Sequence, residues 1–228
     1  MRISLCLLTW NEFDGCNIDI PRLPPNVFDE VYAVDGGSTD GTVEYLQSQG
    51  VPVYRQPKRG LNAAYHHAVD CSSCDAVVVF FPKGTIDPET LRNFRHVLES
   101  GIDLVVASRN MPGGRNEEDG GRLKIRKRGV QTLSLAASFM WRREGHKIRD
   151  VLHGYKGFSV SGFNRMNILR EGLSVDIEMV IRSYRLKLTR TELPVVEVAR
   201  PFGETRFKVL PTGIRLLKYL WFELRRPD

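Results

Sequence analysis

Glu30-Val-Tyr-Ala-Val-Asp35-Gly-Gly-Ser-Thr-Asp40-Gly-Thr42 decides how this chain reads. The apolar run Glu30 to Val34 predicts a strand, and the Gly/Asp/Ser stretch after it predicts a turn. A helix is expected from Thr42 to about Gln49, with Gly50 at its C-terminal end. Asp35 stands where the strand stops, and a carboxylate there can accept hydrogen bonds from the N–H groups of a base. Gly36 and Gly37 let the backbone come close to a ligand. Ser38, Thr39 and Asp40 offer capping oxygens to the helix.

The same alternation extends on both sides of that turn. Ile3 to Leu8, Val51 to Arg55, Asp75 to Phe81 and Asp103 to Ala107 read as further strands. Leu61 to Val69 and Pro88 to Ser100 read as helices between them. The 75–81 run is almost wholly apolar, which predicts a strand buried on both faces. Strand–helix alternation makes an α/β fold, a mainly parallel sheet with helices on both faces. Ligands of such sheets bind outside the C-terminal strand ends. After Arg109 the pattern changes. A Gly-rich loop from Met111 to Gly121 precedes a basic helix expected from Arg122 to about Arg143. Strands are expected at Gly154–Val160 and Leu193–Val198, with helices at Ile177–Arg185 and Pro211–Arg226. The reading divides the chain into a main domain over 1–210 and a C-terminal amphipathic helix over 211–228.

Composition narrows the classes. The chain has 228 residues, 42% hydrophobic and 26% charged, enough to bury one large core. Its longest apolar run is far short of the roughly 20 residues of a membrane span. Residues 1–108 carry 8 basic and 14 acidic side chains, whereas 109–228 carry 25 and 13. A net +12 in the second half predicts an anionic partner: phosphates, a membrane surface or nucleic acid. Nucleic acid is not expected, because the basic runs lack interleaved aromatics and no nucleic-acid module is recognisable. Four cysteines without regular spacing, and no signal peptide, predict a reducing, cytoplasmic compartment. Cys71 and Cys74 are expected at a helix end and a strand start rather than on zinc.

With Leu8-Thr-Trp-Asn-Glu12 ahead of it, the 35–42 turn resembles the second loop of family 2 glycosyltransferases of the GT-A fold, a Rossmann-like three-layer architecture. Further segments match that family in order: Ala107-Ser-Arg109 with Gly113-Gly114, Asp150-Val-Leu-His-Gly-Tyr-Lys-Gly-Phe158, Asp176-Ile-Glu178, Glu192-Leu-Pro-Val195 and Arg200-Pro-Phe-Gly-Glu-Thr-Arg206. The last is similar to the dolichol- or polyprenol-phosphate mannose synthase subgroup. Five segments in the right order carry more weight than any one. The resemblance implies a GDP- or UDP-linked sugar donor. Thr9, Asn11, Glu12, Asp35, Gly37, Arg59 and Gly60 would form the nucleotide site. Lys83, Arg109, Arg126, Arg200 and Arg206 would meet phosphates, with Arg122 as the alternative to Arg126.

One departure from the family is pronounced. At the end of the fourth strand the family places a D-x-D pair that holds Mg²⁺ or Mn²⁺ against the leaving diphosphate. Here Val79-Phe-Phe-Pro-Lys-Gly-Thr-Ile-Asp87-Pro-Glu89 puts Phe81 and Lys83 at those positions. Asp87-Pro-Glu89 reads instead as a helix cap, first-position proline and first-turn acid. The expectation is a transferase that requires no metal cofactor, although Mg²⁺ or Mn²⁺ is compatible with the family. Lys83, Arg109 and Arg200 would supply the positive charge instead.

The subgroup resemblance and the basic second half favour a polyprenyl phosphate acceptor, already an anion and in need of no base. A saccharide hydroxyl acceptor would need one, and Asp176, Glu178 and Asp150 are the candidates. The catalytic set is therefore Lys83, Arg109, Asp176 and Glu178. A non-catalytic relative that binds nucleotide or lipid phosphate is the remaining reading. The 213–226 stretch mixes apolar, aromatic and cationic residues, as an interfacial helix on an anionic bilayer does. Its alternative is packing on the core or on a second subunit. A peripheral location on the cytoplasmic membrane face follows, with a membrane-anchoring partner or a homo-oligomer compatible.

Overall fold

The computed structural model describes residues 1–120, 124–202 and 209–226. Seven strands form one sheet: β1 (Ile3–Thr9), β2 (Glu30–Asp35), β3 (Val53–Arg55), β4 (Ala76–Phe80), β5 (Leu104–Ser108), β6 (Lys156–Ser159) and β7 (Arg190–Pro194). Their order is β3-β2-β1-β4-β6-β5-β7, all parallel except β6, which runs antiparallel to both neighbours. The helices are α1 (Phe13–Asp19), α2 (Thr42–Ser48), α3 (Leu61–Cys71), α4 (Leu91–Glu99), α5 (Ile125–Trp141), α6 (Val160–Met166), α7 (Val175–Arg185) and α8 (Val209–Arg225).

Strand alternation divides the core in two. Leu5, Leu7, Val78, Phe80, Val105 and Ala107 point to one face, where α1, α2 and α4 add Cys16, Leu46, Phe94 and Leu98. Cys6, Leu8, Val77, Val79, Leu104 and Val106 point to the other, covered by α3 and α5 to α8 through residues such as Tyr65, Ala137, Phe163, Ile181 and Leu220. This is the three-layer architecture that the alternation predicts.

The second half departs from expectation in its details. β7 begins at Arg190, not Leu193. The buried Arg190 guanidinium donates to the carbonyls of Glu144, His146, Ser183 and Leu188, so a charged residue opens a strand that its sequence conceals. β6 starts at Lys156, and α6 follows at once, capped by the Ser159 hydroxyl on the Gly162 N–H at 3.0 Å. Neither α1 nor α6 is apparent from sequence: each has only seven residues, too few to show a helical period, and lacks the glycine-and-turn signal that announced the equally short α2. α8 packs Leu216, Tyr219 and Leu220 into the main core, and its buried Glu223 lies 2.8 Å from Arg182 and 3.0 Å from Arg185.

Candidate active site

The C-terminal ends of β1, β2, β4 and β5 share one edge of the sheet with the start of antiparallel β6 and the first turn of α7. At the β1–β2 end the loops cross-link each other. Asp35 is buried and accepts from the Gly37 and Ser38 N–H groups at 2.8 Å each, and from the Thr9 and Ser38 hydroxyls. Gly37 sits at φ +93°, with open space where a side chain would begin. Asn11 holds both loops together: its backbone N–H donates to Ser38 Oγ at 2.7 Å and its side-chain Oδ1 accepts from the Thr39 N–H at 2.8 Å. The Glu12 N–H donates to Thr42 Oγ1 at 3.0 Å. Arg59 is exposed, and Gly60 at φ +126° opens α3 against the backbone of Gly172.

The β4–β6 end is built differently. Lys83 carries its ammonium 4.7 Å from the centroid of the Phe81 ring, a cation–π contact. It makes no ion pair with a carboxylate among the described residues. Burial and nearby Arg200 push the Lys83 ammonium below its ordinary range, and Glu12, Glu197 and Asp176 oppose that. Helix α1 closes over this loop at Gly15, where an added methyl would stand 2.3 Å from the Pro82 carbonyl oxygen. The segment after β7 lies across it as well: the Val198 N–H donates to the Thr85 carbonyl at 2.9 Å. This brings Arg200 to Glu12, with Nη2 to Oε1 at 2.7 Å.

Arg109 is placed in the cleft but tightly held. Its Nε and Nη2 donate to Asp150 at 2.8 and 2.9 Å, and Nη1 donates to Glu197 at 2.8 Å. Burial alone would raise the Asp150 carboxyl, and Arg109 more than reverses this, holding it below the usual range. Asp150 is thereby locked as an anion partner rather than poised as a base. Asp176, in the first turn of α7, accepts from the Lys156 ammonium at 2.7 Å. Lys156 is wholly buried in β6 and also donates to the His153 carbonyl. Burying an ammonium costs several kcal/mol unless it is paired, so Asp176 is its counter-ion.

Glu178 lies elsewhere. It is fully buried, accepts from the Leu169 N–H and the Ser174 hydroxyl at 2.9 Å each, and so ties the 169–174 loop to α7. Arg126, on the exposed start of α5, lies 3.7 Å from Glu117 and 3.9 Å from Glu118. Arg122 and Arg206 fall outside the described residues. Lys156 and His153 are the two groups at this edge that sequence reading passes over. A lysine between aromatics inside a short strand, Tyr155-Lys156-Gly157-Phe158, was the available signal, since lysine is rarely buried unpaired.

The residues of the fourth loop do not fit a divalent cation, which wants several oxygen ligands. The loop offers a phenyl ring and an ammonium, and Glu12, Asp150, Asp176 and Glu197 are each paired with an arginine or lysine. Among the described residues no group of three or more His, Cys, Asp or Glu side chains is placed to share a metal.

This geometry has relatives. The glycosyl transferase family 2 model matches residues 23–167. The chain is 27% identical over 203 residues to glycosyltransferase AglJ of Haloferax volcanii, covering 88% of this chain and 65% of that one. It is 26% identical over 220 residues to undecaprenyl-phosphate mannosyltransferase of Micrococcus luteus, covering 90% and 87%. It is 24% identical over 240 residues to polyprenol monophosphomannose synthase of Mycolicibacterium smegmatis, covering 94% and 88%. Among solved structures, glucosyl-3-phosphoglycerate synthase of Mycobacterium tuberculosis, in complex with Mn²⁺ and UDP-glucose, superposes with a TM-score of 0.74 at 20% identity, over 100% of this chain and 80% of that one. The order of motifs, the sheet and the family match agree: the chain belongs to glycosyl transferase family 2 and is a glycosyltransferase of the GT-A fold.

Proposed function

We propose that this glycosyltransferase moves a sugar, with inversion, from a GDP- or UDP-linked donor to a polyprenyl phosphate, and that it does so without a metal ion. The observation that carries this reading is the Lys83 ammonium over Phe81, where the family's paired acids would stand. The acceptor phosphate oxygen attacks C1 of the sugar. A new C1–O bond forms as the bond from C1 to the donor diphosphate breaks, and the nucleoside diphosphate leaves with both electrons. No proton need be removed from the acceptor, so Asp176 can stay committed to Lys156. Lys83 and Arg200 face the negative charge that grows on the leaving group, in a partly water-excluded cleft where such charges act strongly. Thr9, Asn11, Glu12, Asp35, Gly37, Arg59 and Gly60 are the proposed nucleotide rim, with Asp35 shaping the loop that receives the base.

The acceptor reading draws support from the mannosyltransferase relatives and from α8. That helix exposes Ile214, Leu217, Trp221, Phe222 and Leu224, with the Arg225 guanidinium 4.0 Å from the Trp221 ring centroid. Apolar and cationic side chains on one outward surface suit an anionic bilayer. No helix among the described residues is long and apolar enough to cross a membrane.

The decisive experiment is calorimetric titration of GDP and UDP into the protein, first in EDTA and then with Mn²⁺. Binding of one nucleotide in EDTA, with transfer to a polyprenyl phosphate under the same conditions, is expected. Binding and transfer that require Mn²⁺ would overturn the metal-free reading. Transfer to a saccharide hydroxyl that is abolished in D176N would move the assignment to a base-dependent enzyme.

A further inference from the structure

His153 sits at the same edge of the sheet, between the Asp150 clamp on Arg109 and the buried Lys156. Its Nδ1 accepts the Tyr155 N–H at 3.1 Å. In the neutral imidazole the single proton must then sit on Nε2. That Nε2 is buried and has no hydrogen-bond partner among the described residues. A buried donor left without an acceptor is destabilising. The ring cannot relieve the cost by charging, because burial and the cations Arg109, Lys156 and Lys83 hold its basicity well below the ordinary histidine range, outweighing Asp150.

The position relative to the fourth loop is close. The residue after His153 is Gly154, whose Cα packs so tightly on the Phe81 ring that an added methyl would stand 2.7 Å from Cε2. The same ring carries the Lys83 ammonium. A neutral N–H near the cations Arg109, Lys156 and Lys83, with Asp150 already engaged by Arg109, is suited to an anion's oxygen and ill suited to a second cation.

We propose that His153 is a phosphate-binding residue of the transfer site, its Nε2–H donating to a phosphoryl oxygen of the bound nucleoside diphosphate. The inference rests on the donor-site reading above and adds to it a neutral donor beside the charged ones. Such a group fixes the orientation of the diphosphate through a directional hydrogen bond, whereas Lys83 acts as a point charge.

The test uses two variants of the full chain. In H153N the amide oxygen can still accept the Tyr155 N–H, but the distal donor is gone. In H153Q the amide nitrogen reaches the position of Nε2. Calorimetry in EDTA with UDP and GDP is expected to show about a tenfold loss of affinity in H153N, one hydrogen bond's worth. H153Q is expected to stay within about threefold of the unaltered protein. In ¹⁵N-histidine-labelled protein the Nε2–H resonance is expected to shift on addition of the nucleoside diphosphate and not on addition of the nucleoside.

Equal loss in both variants would show a structural role and overturn the proposal. So would a resonance that diphosphate leaves unmoved, as when a buried water is the partner. If the unaltered protein binds neither UDP nor GDP, the donor-site reading itself fails and the inference falls with it. Binding that persists undiminished in H153N sinks the inference alone.

Discussion

The two ends of the cleft satisfy their polar groups in opposite ways. At the β1–β2 end every oxygen and N–H of note closes on a neighbour: four donors meet Asp35, and Asn11 bridges two loops. At the β4–β6 end the charges are buried or partly buried; Arg109 holds both Asp150 and Glu197, Lys156 holds Asp176, and Lys83 is left without a carboxylate and His153 Nε2 without an acceptor among the described residues. The first arrangement is a rigid, self-sufficient frame. The second is electrostatically incomplete, and a bound anion would complete it. On the proposed function, the first end would recognise shape and the second charge.

The largest effect is expected where a buried charge loses its partner. Asp176→Asn leaves the Lys156 ammonium uncompensated, and a loss of about 3–5 kcal/mol is expected in urea unfolding. Replacing both, as in K156M with D176N, should recover most of that. A double variant no more stable than the single one would show that Asp176 acts through other contacts.

Next comes a pH dependence beneath the fourth loop. Asp19 is buried, accepts the Gly84 N–H at 2.8 Å and leaves its other oxygen without a partner among the described residues. Burial raises its carboxyl from 3.8 to about 6, against the pull of the Gly84 N–H and Arg22. The folded protein therefore holds this proton to higher pH than the unfolded chain. The contribution to stability is complete below about pH 4 and is lost as pH rises through about 6, to a limit of about 3 kcal/mol. Asp19→Asn should match the unaltered protein near pH 4 and exceed it at pH 7. Parallel stability curves from pH 4 to 7 would refute this.

Lys83→Met tests the charged end directly. About 10- to 100-fold weaker binding of nucleoside diphosphate in EDTA is expected, the range of one charge-assisted hydrogen bond. Affinity in the unaltered protein should also fall as pH rises through the depressed Lys83 value, since the cation is the binding form. Unchanged affinity in K83M would erase the distinction between the two ends. The smallest expected effect is steric. Gly15→Ala forces α1 and the Pro82–Lys83 backbone apart, at a cost of about 1–3 kcal/mol. A crystal structure with an undisturbed fourth loop would contradict it.

Much of the first half was legible because each βα unit announces itself locally. The turn at 35–42 lies between β2 and α2 as expected, but the helix is entered through Gly41 at φ +92° without a side-chain cap; Asp40 accepts the Thr42 N–H at 3.1 Å, and the Ser38 hydroxyl is turned to Asn11 and Asp35. Asp87 caps the turn at 88–90, accepting the Glu89 N–H at 3.3 Å, as the Asp-Pro-Glu order implies. The second half was less legible. β6 inserts antiparallel between β4 and β5, and nothing in Lys156-Gly-Phe-Ser159 states its neighbours. β7 is entered through a buried arginine. Seen as sequence, Arg109 is a phosphate contact, and Asp176 and Glu178 are interchangeable candidate bases. Folded, the first is a clamped cation, the second a counter-ion and the third a loop clasp.

By itself the sequence determined the class of fold and the order of the loops on its edge. Those follow from periodicity and turn chemistry, properties of short stretches of chain, whereas the placing of Phe81 and Lys83 at the positions of paired acids is what the family resemblance implies. Only the tertiary structure decided which charges neutralise each other and which buried groups are left wanting an anion. Pairing energies depend on distances between residues such as Arg200 and Glu12, far apart in the chain and 2.7 Å apart in space. The Nε2 of His153 is likewise left without a partner among the described residues only by the way the chain folds, with Nδ1 taken by the Tyr155 N–H.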